Sequence, residues 1–184
     1  MNVHIETERL LLRRFSPEDW RDLMDYLSYK SVTRYSPLTA LTEETAPGEA
    51  AERAASREIF AVEYRPEGKV IGELCLEPEE GDSWELSYFF HPRYQRQGLA
   101  REAVEALMDW AFTGPPAARR ITASCDSRND ASRRFLQRLG FRQEGLLREH
   151  ISFHRDEAGA PIWTDTCLYA LLKREYRRTP PFGT

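Results

Sequence analysis

After three successive strands, the hydrophobic period of the chain changes near residue 98. Upstream, Ile59–Tyr64, Val70–Glu77 and Ser83–His91 read as three strands, separated by Pro66-Glu67-Gly68 and Glu79-Glu80-Gly81-Asp82. Three strands joined by short turns predict an antiparallel meander. Downstream, Ala100, Ala103, Val104, Leu107, Met108 and Ala111 recur at helical spacing, and Gly114-Pro115-Pro116 stops the run. Arg120–Cys125 then reads as another strand. A strand, a long amphipathic helix and a strand in succession require a parallel crossover inside an otherwise antiparallel arrangement. The expected fold class is therefore α/β (α+β): a mixed, mostly antiparallel twisted sheet of about seven strands flanked by helices.

The remaining elements fit around this unit. Arg9–Phe15 is a strand, and Ser16-Pro17-Glu18-Asp19 reads as a helix start leading into Trp20, Leu23, Met24 and Leu27. Thr42–Arg57 predicts a second helical stretch, broken at Pro47-Gly48. Asp130–Leu139 predicts a helix capped by Asn129 and ended by Gly140. Phe141 to about Phe153 and Trp163–Leu172 predict a final pair of strands around a turn at Asp156–Pro161.

Composition narrows the function classes. At 184 residues the expectation is a single domain, 1–184, large enough to fold without a metal or disulfide staple. A net charge of −4 argues against nucleic acid as the main partner. No apolar run reaches the length of a membrane span, and Met1–Arg9 lacks the apolar core of a signal peptide, so a cytoplasmic location is expected. Cys75, Cys125 and Cys167 are odd in number and far apart, and with His4, His91, His150 and His154 they make no metal-ligand spacing.

The loop Gln95-Arg96-Gln97-Gly98-Leu99-Ala100 opens the long helix. Backbone N–H groups at a helix N-terminus, with the positive end of its dipole, favour a phosphate. Gly98 admits close approach to the backbone, Ala100 keeps the first turn thin, and Arg96 and Arg101 offer charge. The loop lacks the glycines of a dinucleotide fingerprint and the lysine of a phosphate-binding loop. By itself it is equally an ordinary strand-to-helix connection.

This loop resembles the Q/R-x-x-G-x-G/A signature of the GNAT acetyltransferases. Asn129-Asp130-Ala131-Ser132 with Leu139-Gly140-Phe141 resembles the same superfamily's N-x-x-[SA] and LGF segments. Thr7-Glu8-Arg9-Leu10-Leu11-Leu12-Arg13 is similar to the opening of its RimJ/RimL branch, which acetylates ribosomal-protein N-termini. Glu144-Gly145, Trp163-Thr164-Asp165 and Tyr169–Leu172 resemble that branch's ending, so the likeness covers nearly the whole chain.

The resemblance implies a sheet split open between its fourth and fifth strands, with acetyl-CoA in the split. The pyrophosphate would lie on residues 96–101 and the pantetheine arm would pair with Phe89, Phe90 and His91. The cofactor set it implies is Phe89, Phe90, His91, Gln95, Arg96, Gln97, Gly98, Leu99, Ala100, Arg101, Asn129, Ser132 and Phe135. No metal is expected. The reaction implied is acetyl transfer to a primary amine, of a protein N-terminus or a small molecule; an acyl-CoA sensor without turnover is the alternative.

Acyl transfer to an amine needs a base and a donor to the departing thiolate. Many relatives use a tyrosine as donor where this chain has Phe135, so Ser132 is the substitute. Its other reading is a hydroxyl bonded back to a carbonyl of its own helix. Asn129 is either a pantetheine contact or plain capping. Glu73, on the strand expected to flank the split, and Glu85, in the neighbouring strand, are the candidate bases; either is otherwise a solvated strand face. Cys125 is read as core rather than nucleophile. Glu149, Trp163, Asp165 and Tyr169 are candidates for an amine pocket, and the segment Lys30 to Pro47 is expected to select the acceptor. A homodimer through the last strands is also expected.

Overall fold

The computed structural model describes residues 4–176 of the chain. Eight strands form one sheet: β1 (Ile5–Glu6), β2 (Leu10–Arg14), β3 (Ile59–Tyr64), β4 (Lys69–Glu79), β5 (Ser83–Phe90), β6 (Arg120–Asp126), β7 (Arg142–Arg155) and β8 (Pro161–Leu172). Their order across the sheet is β1-β2-β3-β4-β5-β6-β8-β7. Among the described residues only β5 and β6 pair in parallel, which is the crossover that the change of period requires. The eighth strand is β1, a two-residue piece in a stretch whose polarity hides it from periodicity.

Among the described residues, five α-helices flank the sheet: α1 (Trp20–Leu27), α2 (Lys30–Thr33), α3 (Ala46–Ala55), α4 (Leu99–Thr113) and α5 (Asp130–Arg138). The break expected at Pro47-Gly48 does not occur. Pro47 lies in the first turn of α3, where its missing N–H has no helical partner to lose. The helix starts there instead of being interrupted.

The main core lies on the α4 face of the sheet. Leu10, Leu12, Phe60, Leu74, Leu86 and Ile121 meet Leu99, Val104, Leu107 and Met108 of α4. On the opposite face, Leu23, Tyr26 and Leu27 of α1 pack with Ala50, Ala61 and Val70. Alternation along β5 therefore sends Leu86, Tyr88 and Phe90 to one face and Glu85, Ser87 and Phe89 to the other.

The pairing of β5 with β6 stops early. Ser83↔Arg120, Trp84↔Ile121 and Glu85↔Thr122 are the matched positions, and beyond them the two strands separate. The sheet opens between the fourth and fifth strands anticipated from the chain. On its other edge β5 stays paired with β4 as far as Phe90, opposite Gly72. A Cβ on Gly72 would stand 2.3 Å from the Phe89 carbonyl oxygen, so the close approach of the two backbones demands glycine.

Candidate active site in the split sheet

The α4 N-terminus forms one end of the opening. Gly98 is its N-cap with φ +79°, and Arg96 is also left-handed at φ +61°. Gly98 takes that conformation without cost; Arg96 does not, and the strain sits in a loop whose N–H groups can cradle an anion. A cavity of about 260 Å³ lies against this loop. Gln95, Arg96, Gly98, Ala100 and Arg101 line it from one side, and Phe90, Phe135, Arg138 and Leu139 from the other. Guanidinium charge beside free helical N–H groups suits a pyrophosphate, and the two phenylalanines suit an apolar arm.

Four expected cofactor contacts are placed differently. The Leu99 side chain is buried in the core, so only its backbone can face a ligand. The Gln97 carboxamide donates to the Arg93 carbonyl at 3.0 Å. The His91 ring is 0% exposed, between Tyr29 and Tyr94 on the α1 side. Its Nδ1 accepts from the Arg93 N–H at 3.1 Å, so Nε2 carries the proton and donates to Asp25 at 3.1 Å. His91 is thus a buried strut, and only its main chain adjoins the β5 edge. Phe89 likewise turns its ring to the α1 side, where it packs against the smaller core.

The loop is held from behind by the start of the chain. The Glu102 carboxylate, in the first turn of α4, accepts from Thr7 Oγ1 at 2.6 Å, from the Arg9 N–H at 3.0 Å and from Arg9 Nε at 2.8 Å. Arg9 Nη1 also donates to the Gln97 carbonyl at 3.0 Å. Burial works to raise the Glu102 pKa, but these donors outweigh it and hold the carboxyl below its ordinary value.

The α5 N-terminus forms the other wall. Asn129 caps the helix, its side-chain oxygen accepting from the Ser132 N–H at 3.2 Å. Ser132 Oγ does not bond back within α5. It shares a 2.7 Å hydrogen bond with the Tyr88 hydroxyl of β5, across the split. The Tyr88 ring stands edge-on to Phe135, with centroids 5.2 Å apart. Burial pushes the phenol well above its ordinary range, so it keeps its proton. Cys125, also beside Ser132, is pushed up to about 11, chiefly by burial, and stays a thiol at neutral pH.

The two candidate bases separate. Glu85 occupies the last paired position before the opening, and its carboxylate accepts from Ser124 Oγ at 3.1 Å. Glu73 does not flank the split, because β4 lies one strand away from it. Its buried carboxylate accepts from Arg53 Nε at 2.7 Å and from the Tyr26 hydroxyl at 2.6 Å. An ion pair this enclosed ties α1, α3 and β4 together.

The amine-pocket set is also divided. Tyr169 is 1% exposed in the main core. Asp165 accepts from the N–H of Glu149, which is left-handed at φ +47° in a bulge of β7. Trp163 is 54% exposed. The segment after α1 does reach across the sheet: His154 bonds the Arg34 carbonyl at 3.0 Å, and the Tyr35 hydroxyl donates to the Arg128 carbonyl at 3.3 Å. Among the described residues no three His, Cys, Asp or Glu side chains form a metal cluster, and no helix is long and apolar enough to cross a membrane.

Tyr88, Tyr94 and Arg138 were not among the expected site residues. Arg138 was accessible to helical spacing, since Ser132, Phe135 and Arg138 follow at i, i+3 and i+6. Tyr88 carried a weaker signal, its alternation with Leu86 and Phe90.

Comparison with known proteins agrees with this geometry. Residues 9–142 match the acetyltransferase (GNAT) domain model. The chain is 32% identical over 176 residues to the uncharacterized N-acetyltransferase YnaD of Bacillus subtilis (strain 168), covering 95% of this chain and 99% of that protein. It is 32% identical to N-acetyltransferase p20 of Bacillus licheniformis, covering 92% and 96%. A GNAT-family acetyltransferase from Bacillus anthracis superposes with a TM-score of 0.83 at 29% identity, over 94% of this chain and all of that one. The ribosomal-protein-S5-alanine acetyltransferase of Vibrio fischeri shares the fold, with a TM-score of 0.72 at 21% identity, over 96% of this chain and 100% of that one. With its split sheet, its α4 loop and these relatives, the chain belongs to the GNAT family of acetyl-CoA-dependent acetyltransferases.

Proposed function

We propose that the chain transfers the acetyl group of acetyl-CoA to a primary amine by direct attack in a ternary complex. The observation that carries this reading is the parting of β5 from β6 beside the α4 loop. The free edge of β5 beyond Glu85 offers main-chain groups to an extended amide arm, and the loop at 96–101 lies at the end of that path. Asn129 and Ser132 stand on the facing helix. In this reading Ser132 donates to the departing sulfur. Glu85, at the apex of the opening, takes the amine proton through water.

The acceptor is either the α-amine of a protein N-terminus or a small-molecule amine. The first is favoured by the shared fold with the Vibrio fischeri protein. A cytoplasmic homodimer completes the proposal. Edge strand β7 and its partner β8 carry the exposed side chains Leu146, Leu147, Ile162 and Trp163.

Calorimetric titration with acetyl-CoA, beside Gly98→Trp, tests the coenzyme part. Micromolar binding that the variant abolishes is the expected result, and no binding to the wild type overturns it. Thiol release with a panel of peptides and small amines then tests transfer. Binding without release would leave an acyl-CoA sensor.

A further inference from the structure

From the hydroxyl pair across the split, we infer that Tyr88 is a positioning residue that aims the Ser132 hydroxyl at the sulfur of the coenzyme. The inference rests on the acetyl-CoA reading above and deepens it.

The two oxygens are 2.7 Å apart, and one proton lies between them. A phenol is a stronger acid than an alkanol, so the favoured arrangement has Tyr88 donating and Ser132 Oγ accepting. That leaves the Ser132 proton for a second acceptor, which is the neighbouring Cys125 sulfur until a ligand sulfur enters the split. The serine backbone cannot turn away, because the Asn129 cap holds the Ser132 N–H. Nor can the Tyr88 ring swing freely, packed as it is against Phe135 and Phe90. The pair is a fixed donor with one proton to offer.

The chemistry needs that donor at one moment. When the amine attacks, the carbon–sulfur bond breaks and its electron pair goes to sulfur. Ser132 meets the developing thiolate with a charge-assisted hydrogen bond, and the sulfur is later protonated from solvent. Tyr88 does not give up its proton. Burial holds the phenol above its ordinary range, so the direction of the Tyr88-to-Ser132 bond survives a rise in pH. The same reasoning explains how a chain with Phe135 can supply a donor without a phenol on α5: the phenol comes from β5 and acts through serine.

The titratable and charged groups around the pair are Cys125 and Asp126 of β6, Cys167 and Tyr169 of β8 and Arg133 of α5. Burial pushes Cys125 up to about 11 and raises Tyr169 above its ordinary value. Tyr88, Cys125 and Tyr169 therefore keep their protons across the range in which a coenzyme thiol, ordinarily near about 8.5, ionises.

The test is equilibrium binding of CoA and of desulfo-CoA, which lacks the sulfur, from about pH 7 to about pH 9.5. A donor aimed at sulfur lowers the bound thiol's pKa. CoA should then tighten with rising pH by about tenfold more than desulfo-CoA. Tyr88→Phe keeps the ring and removes the hydroxyl, and Ser132→Ala removes the donor; each should abolish the difference, the double variant no further than either single one. Ser132→Thr should restore part of it. Thermal melts establish that each variant is folded. If Tyr88→Phe keeps the full difference while Ser132→Ala loses it, Tyr88 has no part in aiming the serine. Equal pH dependence for CoA and desulfo-CoA in the wild type overturns the inference and leaves coenzyme binding intact. Absence of binding by both ligands overturns the acetyl-CoA reading itself.

Discussion

Arg9 and Glu102, separated by 93 positions, close an ion pair in which Arg9 Nε and Nη2 share Glu102 Oε2 at 2.8 and 2.6 Å, with the Arg9 N–H on Oε1. The pair ties β2 to the first turn of α4, and a further bond from Arg9 reaches the Gln97 carbonyl. Neither residue lines the cavity at the loop. In the proposed reading, they hold the loop backbone in place before the coenzyme arrives.

Glu102→Gln removes the charge and leaves the shape. Acetyl-CoA affinity should fall by about tenfold, the value of about one charge-assisted hydrogen bond's worth of preorganisation. Arg9→Ala should cost at least as much. Titration calorimetry checks both, and wild-type affinity in either variant would remove the strut role.

Stability should fall in acid through the same carboxylate. Glu102 and Asp126 both have folded pKa values below their ordinary ones, because donors from Thr7, Arg9 and Arg128 outweigh burial. A depressed folded pKa gives stability that is present above the unfolded value, near about 4, and is lost as pH falls through the folded one. Melting temperature should therefore drop below about pH 4, less steeply for Glu102→Gln than for the wild type. Parallel melting curves would contradict this.

Glu73 and Glu85 should respond in opposite ways. Arg53→Ala strands the buried Glu73 carboxylate and should destabilise the chain by about 3–5 kcal/mol in urea unfolding. Glu85→Gln should leave stability near the wild-type value and lower kcat by about a hundredfold, with coenzyme affinity unchanged. A large kcat loss from Glu73→Gln at unchanged stability would reverse the assignment.

Gly72→Ala places a methyl group 2.3 Å from the Phe89 carbonyl oxygen and 2.9 Å from Phe90 Cδ1. Backbone cannot yield as a flexible side chain does, so the variant should lose about 2 kcal/mol or more, with the β5 edge displaced. Denaturant unfolding and acetyl-CoA titration should register the change together.

Much of this molecule was legible in the order of its residues. Alternation in Ile59–Tyr64 and Ser83–Phe90, the helical spacing from Ala100 to Ala111 and the cap at Asn129 are short-range signals, and they place all seven long strands within two residues of their ends. The parallel crossover follows from strand, helix and strand in succession. The start of α4 near Gly98 and the helical face that carries Phe135 were also readable, because both need only local geometry.

Tertiary structure alone decided which polar side chains meet. Glu73 and Glu85 have the same local signature, a carboxylate alternating with apolar residues, yet the register of β4 and β5 sends one to Arg53 and the other to the mouth of the split. Tyr88 finds Ser132, and Arg9 finds Glu102, across 44 and 93 positions. Such pairs depend on sheet order, on the bulge between Val62 and Glu63 and on where β5 leaves β6. Periodicity encodes which face of an element is buried; it carries no information about the partner waiting on that face.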